Sequence, residues 1–321
     1  MDILLTGSIA FDYLMTFPGH FKDHFLPDRL DSISLSFLVD SMRKMPGGIA
    51  PNIAYTMSLL GAHSRLWATV GEDFEPYRQS LEDKGIDTSG VRTIPGTFTA
   101  SFFVNTDLDN AQIASFFPGA MSEAGTLSLQ ALEHQPDLVL ISPNDPYAMG
   151  LYCQECQLLE IPYIYDPSQQ IVRLSPDDLR CGIEGAHALV VNDYEYALIA
   201  KSAGMSADMV LNNDPAAFVV VTLGKNGVEI HSNQGLQHIP SVAPQAIKDP
   251  TGVGDAFRGG LLTGLHHGFD LELCGQIGVL AATYCLEKHG AQGHSFTRSA
   301  FIRRFRQHFD DGGRLDCLDK I

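Results

Sequence analysis

The chain has 321 residues, 45% of them hydrophobic and 18% charged, the balance of a globular enzyme in which no stretch is polar enough for disorder. Thirty-eight acidic against 21 basic residues leave a net charge of −17, which argues against nucleic acid or an anionic membrane as partner but still admits an anionic nucleotide in a local pocket of N–H groups. A chain of this length buries roughly 75% of its unfolded surface, enough for one large core.

Residues 2–8 form an apolar run without a basic n-region or cleavage site, so no secretory signal is expected and the chain reads as cytoplasmic. Its longest apolar run, around Ala216–Val221, is far too short to span a bilayer. The run at 2–8 predicts a buried parallel strand. Asp12 then falls just past its carboxyl end, the edge where open α/β sheets bind ligands, and can accept hydrogen bonds from a polyol or simply cap a turn. From Phe17 to Met45 the pattern changes, and the period-two alternation of Ser32–Val39 predicts a strand of a small projecting sheet, with an edge that can pair with a copy of itself as a homodimer through the lid. Gly47 and Gly48 precede a helix carrying Asn52, Ile53, Met57 and Leu60 and closed by Gly61.

A strand at Ser64–Val70 and a helix at Phe74–Lys84 follow. The short alternating segments at Val91–Ile94, Thr97–Asn105 and 113–119 predict a second excursion of the same type. The reading is one domain over 1–321, with lid strands inserted at about 14–46 and 95–119. Phe102 and Phe116 on those strands can stack on a flat ligand or pack the lid on the body. Beyond them strands at 138–142, 163–165, 188–191, 218–222 and 227–231 alternate with helices at 146–159, 194–203 and 209–212, the pattern of a doubly covered, mostly parallel α/β sheet. Six cysteines in apolar surroundings suit reduced core thiols, and the Cys153-x-x-Cys156 spacing has neither a second pair nor a nearby His. Helices at 255–267 and 271–287 come next, and the end is expected to fray beyond Gly312-Gly313.

The densest signal is Asp249-Pro250-Thr251-Gly252-Val253-Gly254-Asp255. It places two glycines and a carboxylate at a helix start, where backbone N–H groups lack partners and the dipole favours an anion. A phosphate and a base can share that corner.

Taken with Gly47, Gly48 and Asn52 early and Asn192-x-x-Glu195 in the middle, this stretch resembles the signatures of the ribokinase-like sugar and nucleoside kinases, the PfkB carbohydrate kinase family. The motifs span most of the chain, with Pro250 in place of the family's usual Thr. The resemblance implies a ribokinase-like fold with a projecting β lid, and Asp255 as general base beside an anion hole at Gly252, Val253 and Gly254. It implies ATP contacts at Asn192, Thr222, Gly224, Gly227 and Thr251, and Mg²⁺ organised through water by Glu195. Family members often bind a monovalent cation such as K⁺ beside this loop, where Asp249 matches in position. Asp12, Ser8, Ser36, Gly47, Gly48 and Asn52 resemble the substrate-hydroxyl set. The stretches 34–40, 111–123 (AQIASFFPGAMSE) and 166–170 (DPSQQ) look most like bacterial adenosine kinases of actinobacterial type. They imply adenosine plus ATP, with Phe102, Phe116, Gln169 and Gln170 around the base. A sugar kinase for ribose or fructose is the alternative, and a catalytically silent nucleotide sensor a third reading.

Overall fold

The computed structural model describes residues 1–25, 31, 34–204 and 206–320. The chain begins with β1 (Ile3–Thr6) and leaves for two strands of a second sheet, β2 (Ala10–Thr16) and β3 (Ser41–Gly47). It returns through α1 (Ile49–Leu60), β4 (Arg65–Val70), α2 (Glu75–Glu82) and β5 (Val91–Thr93), then leaves again for β6 (Ala100–Thr106) and β7 (Gln112–Phe117). Alternating units follow: β8 (Leu138–Ile141), α3 (Pro146–Leu158), β9 (Tyr163–Tyr165), α4 (Pro176–Glu184), β10 (Ala188–Asn192), α5 (Asp193–Ala203) and α6 (Ala207–Leu211). An antiparallel run of β11 (Phe218–Thr222), β12 (Val228–Ser232) and β13 (Gly235–Ile239) leads to α7 (Val253–His266), α8 (Leu271–Leu286) and α9 (Arg298–Phe305).

Among the described residues, nine strands form one sheet in the order β13-β12-β11-β10-β9-β8-β1-β4-β5, parallel from β11 to β5. Strand periodicity of two divides its side chains between two cores. Ile3, Leu5, Leu138, Leu140 and Val220 pack with α1, α7, α8 and α9, whereas Leu4, Val139, Ile141, Val219 and Val221 pack with α3, α4 and α5. The lid is a separate sheet ordered β3-β2-β6-β7.

Small residues let α7 lie close between α1 and α8. A Cβ on Gly259 would stand 2.6 Å from Thr56 Cβ, and one on Gly260 would stand 2.7 Å from the Gly278 Cα. With no side chains to hold the backbones apart, α7 is seated tightly. No helix among the described residues is long and apolar enough to cross a membrane.

Four expectations change. Asp12 is not in a turn after β1 but on β2, so the lid starts at Ala10. The strand expected at Ser32–Val39 is absent from described residues 34–39, and Ser32 and Ile33 lie outside the described residues; the strand forms instead at Ser41–Gly47. Val91–Thr93 pairs in parallel with β4 in the main sheet rather than in the lid. The carboxyl end does not fray at Gly312-Gly313, because Leu315 and Leu318 of a 3₁₀ turn at Arg314–Lys320 are fully buried against the core that holds Phe301 and Phe305.

Truncating so well-buried a leucine leaves a cavity as well as losing transfer energy. Leu315→Ala is expected to lower unfolding stability by about 2–5 kcal/mol, read from the midpoint shift in urea denaturation at constant slope. A midpoint unchanged from wild type would restore a frayed end.

Candidate active site

The carboxyl ends of β1, β9, β10 and β11 deliver Ser8, Ser168, Asn192 and Thr222 to one edge of the main sheet, where they line a cleft of about 530 Å³ roofed by the lid. This is the ligand edge of an open α/β sheet. A second pocket of about 360 Å³, walled by Val228, Val242, Phe257, Val279 and Leu286, adjoins it, and Thr222 and Gly254 line both. The two spaces meet at the start of α7.

Gly252, the N-cap of α7, holds φ 76°, a conformation that a Cβ would strain. That Cβ would also stand 2.3 Å from the Cβ of Ala291. The Ala256 N–H donates to the Gly252 carbonyl at 2.8 Å, and the Val253 N–H donates to the Pro250 carbonyl at 3.3 Å. The expected place of Val253 in the anion hole is thereby corrected, because its N–H closes the turn and the residue lines the apolar pocket. Pro250 lines the same pocket and keeps the turn intact.

Asp255 lines the cleft from the first turn of α7, and its Oδ2 accepts from Asn52 Nδ2 of α1 at 2.9 Å. Burial pushes its carboxyl up to about 6, against the pull of the Arg258 charge and the Asn52 hydrogen bond, while the charges of Asp166 and Asp12 push the same way as burial. Arg258, also lining the cleft, is buried and pairs at 2.5 Å with buried Asp166, whose other oxygen accepts from Ser142 Oγ at 3.0 Å.

The start of α1 supplies the opposite wall. Gly48 holds φ 92°, and a Cβ there would stand 2.5 Å from the Ser8 carbonyl oxygen. Ser8 Oγ accepts from the Ile49 N–H at 3.4 Å. On β2, Asp12 projects into the space that Gly47 leaves, for a Cβ on Gly47 would lie 2.6 Å from Asp12 Oδ2. Burial pushes Asp12 up to about 6. Phe102 and Phe116 are directly paired across β6 and β7 and both line the cleft, as do Leu14, Val104, Gln112 and Gln169.

Three expected residues do not line this cleft: Gly47, which backs Asp12, and two that stand apart from it. Gln170 is buried beneath it, its Nε2 donating at 2.6 Å to the Asn144 carbonyl, because the 3₁₀ turn at Ser168–Val172 sends adjacent glutamines to opposite sides. Ser36 is exposed in an irregular segment and does not line the cleft.

On the phosphate side, Asn192 and Glu195 form the capping box of α5: Asn192 Oδ1 accepts from the Glu195 N–H at 2.7 Å, and Glu195 Oε2 from the Asn192 N–H at 2.8 Å. Both line the cleft, and burial raises the Glu195 carboxyl. Gly224 and Gly227 line the apolar pocket after β11, and a Cβ on Gly227 would lie 2.1 Å from the Ile239 carbonyl oxygen. Thr251 and Asp249 line the cleft, where Asp249 accepts from the Thr251 and Gly290 N–H groups, each at 2.9 Å. Burial resists ionisation of Asp249, and these N–H groups outweigh it, holding the carboxyl below its ordinary range.

Sequence reasoning missed Arg258, Gln112, Ser168 and the apolar pocket walls. Arg258 was discoverable, since three residues past Asp255 on a helix is the same face. The others sit on turns and lid strands whose facing is decided by packing.

Known proteins align with this arrangement along nearly its whole length. The model of the pfkB family of carbohydrate kinases matches residues 11–298. A nucleoside kinase of Burkholderia thailandensis, solved in complex with inosine, is 36% identical, with a TM-score of 0.83 over 96% of this chain and 98% of that one. The nucleoside kinase of Methanocaldococcus jannaschii is 29% identical over 308 residues, 95% of this chain and 97% of its own. A ribokinase of Lactococcus lactis is 25% identical over 256 residues, 78% of this chain and 82% of its own. Two pockets that converge on one helix start suit a phosphoryl donor and an alcohol acceptor, and the chain belongs to the pfkB family, an ATP-dependent carbohydrate or nucleoside kinase of ribokinase-like fold.

Proposed function

We propose that the chain transfers the γ-phosphoryl group of ATP to the 5′-hydroxyl of a purine ribonucleoside, with adenosine as one acceptor. The observation that carries this reading is the Phe102–Phe116 pair sharing a cleft with Asp12 and Asp255. A bare sugar would leave such an apolar aromatic wall unused, whereas a purine ring covers it. Gln112 and Gln169 in the same cleft carry amides, which present a donor or an acceptor and so suit a 6-amino or a 6-oxo base. The inosine complex of the Burkholderia thailandensis enzyme supports the second.

In this reading the acceptor oxygen attacks phosphorus, the bond from phosphorus to the bridging oxygen of ADP breaks, and the hydroxyl proton passes to Asp255. Such a base contributes about 10²–10⁴ in rate. The N–H groups of Gly252, Gly254 and Asp255 lie at the helix start where charge grows on the transferred group. Asp12 and Asn52 hold the ribose hydroxyls, with Ser8, Gly47 and Gly48 shaping that wall. Asn192, Thr222, Thr251, Gly224 and Gly227 surround the nucleotide, whose adenine fits the apolar pocket. Glu195, tied through one oxygen to the Asn192 N–H, is a fixed hard donor at the cleft and would hold Mg²⁺ through water, where such an ion would supply neutralisation of phosphate charge. Asp249, ionised and fixed by two N–H groups, would sit beside a K⁺ ion.

Asp255→Asn is expected to cut kcat by about 10²–10⁴ while ATP still binds, measured by ADP production and by nucleotide titration. Loss of less than about tenfold would remove Asp255 as the base. Comparing kcat/KM for adenosine, inosine, cytidine, ribose and fructose 6-phosphate is expected to favour the purine nucleosides; a preference for either sugar would overturn the acceptor. Binding of ATP with no ADP formed from any acceptor would leave a sensor. A base must be ionised to take a proton, so kcat is expected to rise with pH through about 6 and fall away below it, as the raised Asp255 carboxyl dictates. An acid limb near pH 4 would contradict the raised value.

A further inference from the structure

Gln292 lies in the loop between α8 and α9, outside every motif used above. Its Nε2 stands 2.9 Å from Asn52 Oδ1 and 2.6 Å from the Tyr77 hydroxyl. The Tyr77 hydroxyl donates to the Gly47 carbonyl at 3.1 Å. Burial holds the Tyr77 phenol far above its ordinary range, so it stays protonated and keeps donating.

Donor counting makes the chain one-way. A side-chain amide nitrogen carries two hydrogens and no accepting lone pair. The Gln292 nitrogen therefore gives one hydrogen to Tyr77, whose own proton is committed to Gly47, and the other to the Asn52 carbonyl oxygen. Asn52 then has only its NH₂ to turn toward Asp255, and that is the 2.9 Å contact observed. With the clamp removed, the Asn52 amide is free to turn its oxygen to Asp255, which repels a carboxylate and welcomes a carboxylic acid.

We propose that Gln292 is a positioning residue that locks the Asn52 amide with its N–H toward Asp255 and so keeps the base ionised and aimed. The assignment rests on the reading of Asp255 as base. It extends that reading to a side chain that need not touch either substrate. The other groups around Asp255 are Asp12 on β2, Asp166 after β9, Arg258 one turn on in α7, Glu195 of α5 beside Arg258, and Cys285 of α8, a thiol that burial pushes up to about 12. The side-chain hydrogen bonds of Gln292 go instead to Asn52 and Tyr77.

The test follows the Asp255 carboxyl by ¹³C NMR titration of the ligand-free full chain, with the resonance assigned by its loss in Asp255→Asn. Gln292→Met removes the clamp without adding charge, and Gln292→Asn, too short to reach, serves if the Met variant does not fold. Since a hydrogen bond to the charged form favours that form, the midpoint is expected to rise by about one pH unit or more. The acid limb of kcat moves with it, so that kcat at pH 6 falls roughly fivefold while KM for ATP holds within about twofold. An unmoved midpoint in a folded variant overturns the proposal, because a merely structural loop residue would alter stability and leave the titration in place. The titration needs no acceptor. A wild-type chain inactive on every alcohol would sink the functional reading and leave this result readable.

Discussion

Everything at the site depends on the backbone of Gly252 lying where no side chain fits. The left-handed turn there presses against Ala291, and it aims the start of α7 at the junction of the two pockets. The glycines further along α7 then let α1 and α8 approach closely, so the direction of the helix is fixed by packing on both flanks rather than by loop chemistry. Rigid seating of this kind matters for transfer chemistry, in which positioning and preorganised dipoles do most of the work.

The electrostatics follow from that seating. Asp12, Asp166, Glu195 and Asp255 converge on one edge with Arg258 as the buried cation among them. A buried pair such as Asp166–Arg258 does little for net stability once desolvation is counted, yet removing one partner strands the other charge. Its place next to the cleft gives it a clearer use: it fixes a positive charge within reach of Asp255 and opposes the rise that burial imposes on the base. An acidic protein thus carries at its centre a local balance quite unlike its overall net charge of −17.

The lid shows where reading a sequence runs short. One of its outer strands, β3, is exposed along nearly its whole length, so it needs no apolar face and leaves no alternation to detect. Ser32–Val39 has the alternation and forms no strand in its described part, whereas Ser41–Gly47 lacks it and pairs with β2. A similar limit separates Gln169 from Gln170: composition treats the neighbours alike, and only the turn after β9 sends one to the cleft and the other to Asn144.

By itself the sequence determined the alternating layers and the glycine-marked helix start, because each rests on contacts within a few residues. Buried parallel strands were equally plain, since both of their faces must be apolar. The tertiary structure alone decided that Asp12 belongs to the lid, that Arg258 meets Asp166 and that Gln292 reaches Asn52. Those contacts join residues 92 and 240 positions apart in the last two cases, and a hydrogen bond between distant side chains leaves no periodicity in the chain for local physics to read.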